Sequence, residues 1–215
     1  MKKDKVLVLL FYCSIVLLLV GCAKKEIKNI DSRGKNIICF GDSITFGYGA
    51  GLGEDYPSAL AKMTEIPVVN AGIDGDTSVE AIERIGSDVL NKEPLLVIIE
   101  FGGNDFLRRI PLQETVKNIE EMIKKVQSVG AMAAIADISA GIIMSNYGKE
   151  FRRLSNKYNT IFLPGLLSKI LTDASLKSDF IHPNAEGYKV IAHRIYRTIL
   201  TYLNRNTLLR RFKKQ

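Results

Sequence analysis

Gly41-Asp42-Ser43 closes a short apolar run, Ile37-Ile38-Cys39-Phe40. A serine in that position is either a nucleophile or the cap of the next helix. A serine nucleophile needs a base, and an imidazole base needs a partner that fixes its tautomer. The sequence offers two histidines. His193 lies within a long amphipathic stretch, off its main apolar stripe, and reads as a surface residue. His182 lies just ahead of that stretch, in Asp179-Phe180-Ile181-His182-Pro183-Asn184. Asp179 and His182 meet if the chain turns once between them. The same six residues would also serve as a helix entry capped by Asn184. Asn104, in Gly102-Gly103-Asn104-Asp105, is a side-chain amide donor or a turn residue. Asp42 and Asp105 read as acceptors that fix loops. No second histidine joins them as a metal ligand, so no metal and no cofactor is expected.

Residues so far apart in sequence need a scaffold that gathers them. Short apolar runs at Asn36–Phe40, Pro67–Asn70, Leu95–Glu100, Met132–Asp137 and 160–163 are continuous rather than alternating. That pattern suits strands buried on both faces. Between and after them, helical spacing predicts helices over Tyr56–Thr64, Ser78–Leu90, Leu112–Val129, Tyr147–Tyr158 and Asn184–Leu203. Strand–helix alternation implies an α/β fold, a three-layer α/β/α sandwich around a five-stranded parallel sheet. Sites in such folds lie beyond the carboxyl ends of the strands, where Ser43, Asp74-Gly75-Asp76 and Asn104 fall.

Taken together, Gly-Asp-Ser, a glycine-rich block, Gly-Gly-Asn-Asp and Asp-x-x-His follow the expected elements in order. The set resembles the SGNH subgroup of the GDSL esterase/lipase superfamily, over about residues 35–203. Within it, Val69-Asn70-Ala71, Gly75-Asp76-Thr77-Ser78 and Glu100-Phe101-Gly102-Gly103-Asn104-Asp105-Phe106-Leu107-Arg108 look like bacterial secreted arylesterases and thioesterase-lysophospholipases. The resemblance implies a flavodoxin-like sheet and a serine hydrolase working on acyl esters or thioesters, lysophospholipids among them. It makes Ser43 the nucleophile, His182 the general base and then acid, and Asp179 its orienting partner. It builds the oxyanion hole from the Ser43 and Gly75 backbone N–H groups and the Asn104 amide. A carbohydrate O-acetylesterase acting on cell-wall or environmental glycans would use the same triad. A non-catalytic glycan- or lipid-binding lipoprotein on a retired esterase scaffold would not need the set intact. The run Ser139-Ala140-Gly141-Ile142-Ile143-Met144 is longer and more apolar than in those enzymes; it either lines an acyl-chain groove or packs on the domain's own helices.

The ends carry the charge. Of the net +7, residues 1–21 hold +2 and residues 204–215 hold +5, leaving the body between them neutral. A neutral body argues against nucleic-acid binding, which puts a basic stripe on the fold itself. Lys2, Lys3 and Lys5 precede an apolar run over Val6–Val20, too short to span a bilayer and suited to a signal peptide. Its end, Leu19-Val20-Gly21-Cys22, resembles a bacterial lipobox. Export, cleavage after residue 21 and lipid anchoring through Cys22 are therefore expected, with residues 22–34 as a tether and a domain over 35–203. Of the three cysteines only Cys39 then remains in the domain as a thiol, which excludes an internal disulfide. The basic tail over 204–215 interleaves Leu208, Leu209 and Phe212 with its cations. If the last helix continues, this stripe can lie on an anionic bilayer and turn the Ser43 mouth toward lipid.

Overall fold

A computed structural model describes residues 26–139 and 144–212. Five strands form one parallel sheet in the order β2-β1-β3-β4-β5. They are β1 Asn36–Gly41, β2 Val68–Gly72, β3 Pro94–Glu100, β4 Met132–Ala136 and β5 Ile161–Leu163. This is the flavodoxin-like order, with its switch point between β1 and β3. Every residue of β3 is buried. Its apolar side chains Leu95 to Ile99 each contribute about 1.5–3 kcal/mol by leaving water.

The crossovers are helical: α1 Ser43–Phe46, α2 Tyr56–Thr64, α3 Ser78–Asp88, α4 Gly103–Leu107, α5 Leu112–Ser128, α6 Ser145–Lys157 and α7 Ala185–Leu203, followed by α8 Thr207–Phe212. Helices α2 and α7 pair on one face of the sheet; α3, α5 and α6 pack side by side on the other. Local sequence sets their starts. Asp55 caps α2 with Pro57 in its first turn, Thr77 and Glu80 close a capping box on α3, and Asn184 caps α7 through Gly187 N–H. In α5, Val116, Ile119, Ile123 and Val126 form the buried stripe.

Strand bounds differ from the sequence expectation by a residue or two. The helix expected over Ser78–Leu90 ends at Asp88 and passes into a 3-10 turn at Leu90–Lys92. The short helices α1 and α4 carry no periodicity to detect. Two expectations at the ends are corrected. The tether does not extend to residue 34, because Ile27 is buried in the core and the Asn29 side chain donates to the Gln127 and Ala131 carbonyls, both at 2.9 Å. Nor does the last helix continue into the tail. It breaks at Asn204, and buried Asn206 donates to the Ser32 carbonyl at 3.0 Å while Thr207 donates to Asp31 at 2.8 Å. The tail thus leaves the domain at the amino edge of the sheet. The Ser43 mouth is at the other edge, one length of α7 away, about 28 Å for its 19 residues. A tail lying on a bilayer would turn the mouth away from it, not toward it.

The expected signal peptide and lipidation site, residues 1–22, lie outside the described residues, as do residues 140–143 of the apolar run. Among the described residues no helix is long and apolar enough to cross a membrane.

Candidate active site

Ser43 follows β1 as the first residue of α1. Asp42 caps that turn, its carboxylate accepting from Ile44 N–H at 3.0 Å. Ser43 N–H is therefore one of the orphan donors of a helix start, and its side chain is only slightly exposed.

His182 and Asp179 come from the loop before α7. Ser178 N–H donates to the His182 carbonyl at 2.9 Å, and a bridge between Lys177 and Pro183 closes the loop. One Asp179 oxygen accepts the backbone N–H groups of Ile181 and His182, each at 2.8 Å. Its other oxygen lies 2.7 Å from His182 Nδ1, and His182 Nε2 lies 3.1 Å from Ser43 Oγ. Serine, imidazole and carboxylate thus form one continuous line across 139 residues of sequence. The hydrogen bond from His182 holds the Asp179 carboxyl at about 2, well below the usual carboxylate range. Tyr48 lies against the imidazole, with ring centroids 4.4 Å apart. Tyr188 hydroxyl donates to the Tyr48 carbonyl at 2.8 Å and so fixes that loop on α7.

The loop after β2 brings Gly75, and α4 brings Asn104. Gly75 has a φ of 78°, the left-handed region that glycine enters without strain. Arg108 takes its carbonyl at 2.7 Å. Asn104 Nδ2 donates to the Asp76 carbonyl at 2.9 Å and approaches Asp42 Oδ2 at 3.4 Å. Two acceptors on the nitrogen side fix which end of the amide is which.

Arg84 ties these loops to the sheet. Its Nε lies 2.7 Å from Asp76 Oδ2, and its guanidinium donates to the Ala71 and Gly41 carbonyls at 2.9 and 3.1 Å, the ends of β2 and β1. It also stacks over Phe40 at 4.5 Å. A lysine could not serve so many acceptors from one planar fork. Asp105 anchors the same region, accepting Ser78 N–H at 3.0 Å, the Ser78 hydroxyl, and the Thr115 hydroxyl at 2.9 Å.

Ser43, Gly75, Asn104, Asp179 and His182 therefore lie at the carboxyl edge of the sheet, whereas His193 lies on α7 away from them. Sequence reasoning missed Tyr48, Arg84 and Glu100. Glu100 had a visible signal, a charge ending an otherwise apolar strand. Tyr48 and Arg84 had none, because their roles depend on tertiary approach.

A groove of about 570 Å³ opens beside Ser43. Its apolar walls come from Phe106, Leu107, Ile138, Met144, Leu167, Leu171 and Ile181. Met144, the last residue of the apolar run, lies in this wall; Leu167 and Leu171, after β5, were not foreseen. Phe46 at the end of α1, Ile73 in the loop after β2 and Phe180 in the loop before α7 are exposed. A second concavity, between Asn29 and Gly130, lies at the amino edge of the sheet, far from these groups. Among the described residues no three His, Cys, Asp or Glu side chains converge as metal ligands. Burial pushes the Cys39 thiol far up, which leaves it an inert core residue.

The model of the GDSL-like lipase/acylhydrolase family matches residues 39–190. The chain is 25% identical over 182 residues to thioesterase 1/protease 1/lysophospholipase L1 of Escherichia coli strain K12, covering 80% of this chain and 86% of that protein. It is 26% identical over 183 residues to an arylesterase of Vibrio mimicus, covering 79% and 90%. Among solved structures, the psychrotrophic esterase EstA of a Pseudoalteromonas species, inhibited by monoethylphosphonate, superposes with a TM-score of 0.71 at 29% identity, covering 79% of this chain and 99% of that one. With the fold, the loop order and the family match in agreement, the chain belongs to the GDSL-like lipase/acylhydrolase family and is an ester hydrolase of the SGNH type.

Proposed function

We propose that Ser43 attacks the ester carbonyl and forms an acyl-serine, with His182 and Asp179 completing a triad. The observation that carries this is the continuous line from Asp179 Oδ2 through both imidazole nitrogens to Ser43 Oγ, at 2.7 and 3.1 Å. As Ser43 Oγ bonds to the carbonyl carbon, its proton passes to His182 Nε2. Asp179 holds Nδ1 protonated and stabilises the imidazolium. The carbonyl oxygen becomes an oxyanion facing Ser43 N–H, Gly75 N–H and Asn104 Nδ2. His182 then gives its proton to the leaving oxygen or sulfur. Water, deprotonated by His182, releases the acid and restores Ser43.

Asn104→Ala tests the oxyanion role. kcat is expected to fall on the order of 10²–10³-fold, because the donor is paired most strongly when charge develops. A change confined to KM would make Asn104 a ground-state binder instead.

The apolar groove favours an acyl chain longer than acetyl. Its volume lies within the usual range for a drug-sized ligand, far more than two carbons occupy. Each methylene buried there is worth about 0.8 kcal/mol. Across p-nitrophenyl acetate to hexanoate, kcat/KM should therefore rise roughly 10²-fold. A maximum at acetate, falling with every added carbon, would favour the carbohydrate O-acetylesterase reading. The same series with Ser43→Ala controls for background hydrolysis.

Cys22 is proposed as the lipid attachment site of an exported protein. The described chain starts beside the amino edge of the sheet, so only four residues separate Cys22 from packed Ile27. The five residue steps from Cys22 to Ile27 reach about 17 Å when extended, short of the length of α7. A domain so held cannot turn its mouth face-on to the bilayer that anchors it, and its substrate would approach from the far side. Cys22→Ser should leave the precursor uncleaved or shift the protein to the soluble fraction. Unchanged mass and membrane fractionation would rule out the anchor.

A further inference from the structure

Glu100 ends β3 beneath the site and is fully buried. Its Oε2 accepts the Thr45 hydroxyl at 2.8 Å and Asp42 N–H at 3.4 Å. Thr45 is itself 2.9 Å from the Tyr56 hydroxyl. A Cβ on Gly41 would sit 2.1 Å from Thr45 Oγ1 and 2.6 Å from Glu100 Oε2, so the glycine of the Gly-Asp-Ser run makes room for this carboxyl group. The remaining oxygen, Oε1, receives no donor from any described residue. The Asp42 carboxyl, also buried, lies beside Glu100.

Two ionised carboxylates cannot satisfy one another. Each is acceptor-only, and two like charges about 4 Å apart cost roughly 4 kcal/mol even at an effective dielectric of 20. The charged and titratable groups that act on the pair are Asp105 from α4, His182 from the loop before α7, Tyr56 from α2, Cys39 from β1 and Tyr188 from α7. Among the described residues no lysine or arginine is in that set. One proton on Glu100 removes the conflict. It turns orphaned Oε1 into a donor and leaves Asp42 an acceptor for Ile44 N–H and for Asn104.

We infer that Glu100 is a neutral carboxylic acid that donates from Oε1 to the Asp42 carboxylate and, through Asp42, fixes the Asn104 amide so that its nitrogen, not its oxygen, faces the oxyanion. Glu100 is thus a positioning residue, and the inference rests on the proposed oxyanion role of Asn104. Burial raises the proton affinity of both carboxyl groups, in keeping with one proton held between them.

The test joins a mutant cycle to infrared spectroscopy of the full chain. Glu100→Leu should lower kcat about 10- to 100-fold with KM little changed, as expected for a misplaced catalytic donor. Glu100→Gln should recover most of that loss, to within about threefold of the native enzyme, because a carboxamide donates and accepts from the same places. In an Asn104→Ala background, Glu100→Leu should cost almost nothing more. Equal damage from Glu100→Gln and Glu100→Leu would overturn the neutral acid. An equal cost with and without Asn104 would overturn the route through Asn104. An Asn104→Ala enzyme with native kcat would overturn the oxyanion reading and with it that route, whereas the spectrum reports on Glu100 alone. The native protein at neutral pH should show a protonated-carboxyl C=O band that Glu100→Gln removes. Absence of the band from native protein would overturn the inference even if every variant failed to fold.

Discussion

Ser43→Ala is expected to lower kcat for ester hydrolysis by roughly 10⁴–10⁶-fold without loss of fold. The effect is large because the alcohol is the bond-forming atom, and no other described hydroxyl sits on His182 Nε2. Stability should hardly change. Ser43 lies on the surface of the groove, α1 is capped by Asp42, and only one oxygen is removed. Residual activity should resemble that of a site that binds and polarises the ester but leaves attack to water. Retention of more than a few per cent of native kcat would assign the nucleophile elsewhere.

His182→Ala is expected to be nearly as damaging, again about 10⁴–10⁶-fold in kcat, because nucleophile and base act as one unit and their losses do not add. The double variant with Ser43→Ala should therefore be little worse than either alone. Asp179→Asn should cost no more than His182→Ala. The carboxylate does not transfer protons; it fixes the tautomer and stabilises imidazolium. It also holds the loop through Ile181 and His182 N–H, a duty that the side-chain oxygen of asparagine can keep. A fully active His182→Ala enzyme would mean that another base serves Ser43. An Asp179→Asn enzyme markedly worse than His182→Ala would mean that Asp179 organises more of the site than this one loop.

The sequence carried most of the scaffold, for physical reasons visible in particular elements. β3 reads as a buried strand because all seven residues are hidden and all but the last are apolar. Helix α3 announces its start with the Thr77–Glu80 capping box. The proposed triad was legible because one of only two histidines precedes a helix, with an aspartate one turn earlier. Less legible was anything made by approach between distant segments. Arg84 reaches from α3 to strand ends that its own periodicity does not mention. The segment from Ile27 to Ser32 looks polar and aperiodic, yet its single isoleucine and its amide side chains dock it to the core. Likewise the tail reads as a continuation of α7 until Asn204, where side-chain hydrogen bonds to Ser32 and Asp31 redirect it. Those two contacts reverse the expected orientation of the mouth relative to any surface the tail touches. The groove wall after β5 was hidden for a similar reason, since Leu167 and Leu171 belong to no long regular element.

An acyl-enzyme at Ser43 is the centre of this account, and a covalent label reports it most directly. The native protein, treated with an alkyl phosphonate ester that transfers phosphorus to an activated serine, should gain the mass of one phosphonyl group as activity disappears. Peptide mapping should place that group on Ser43, and both Ser43→Ala and His182→Ala should fail to acquire it at a comparable rate. Inactivation with the label on another residue, or stoichiometric labelling of Ser43→Ala, would contradict the account.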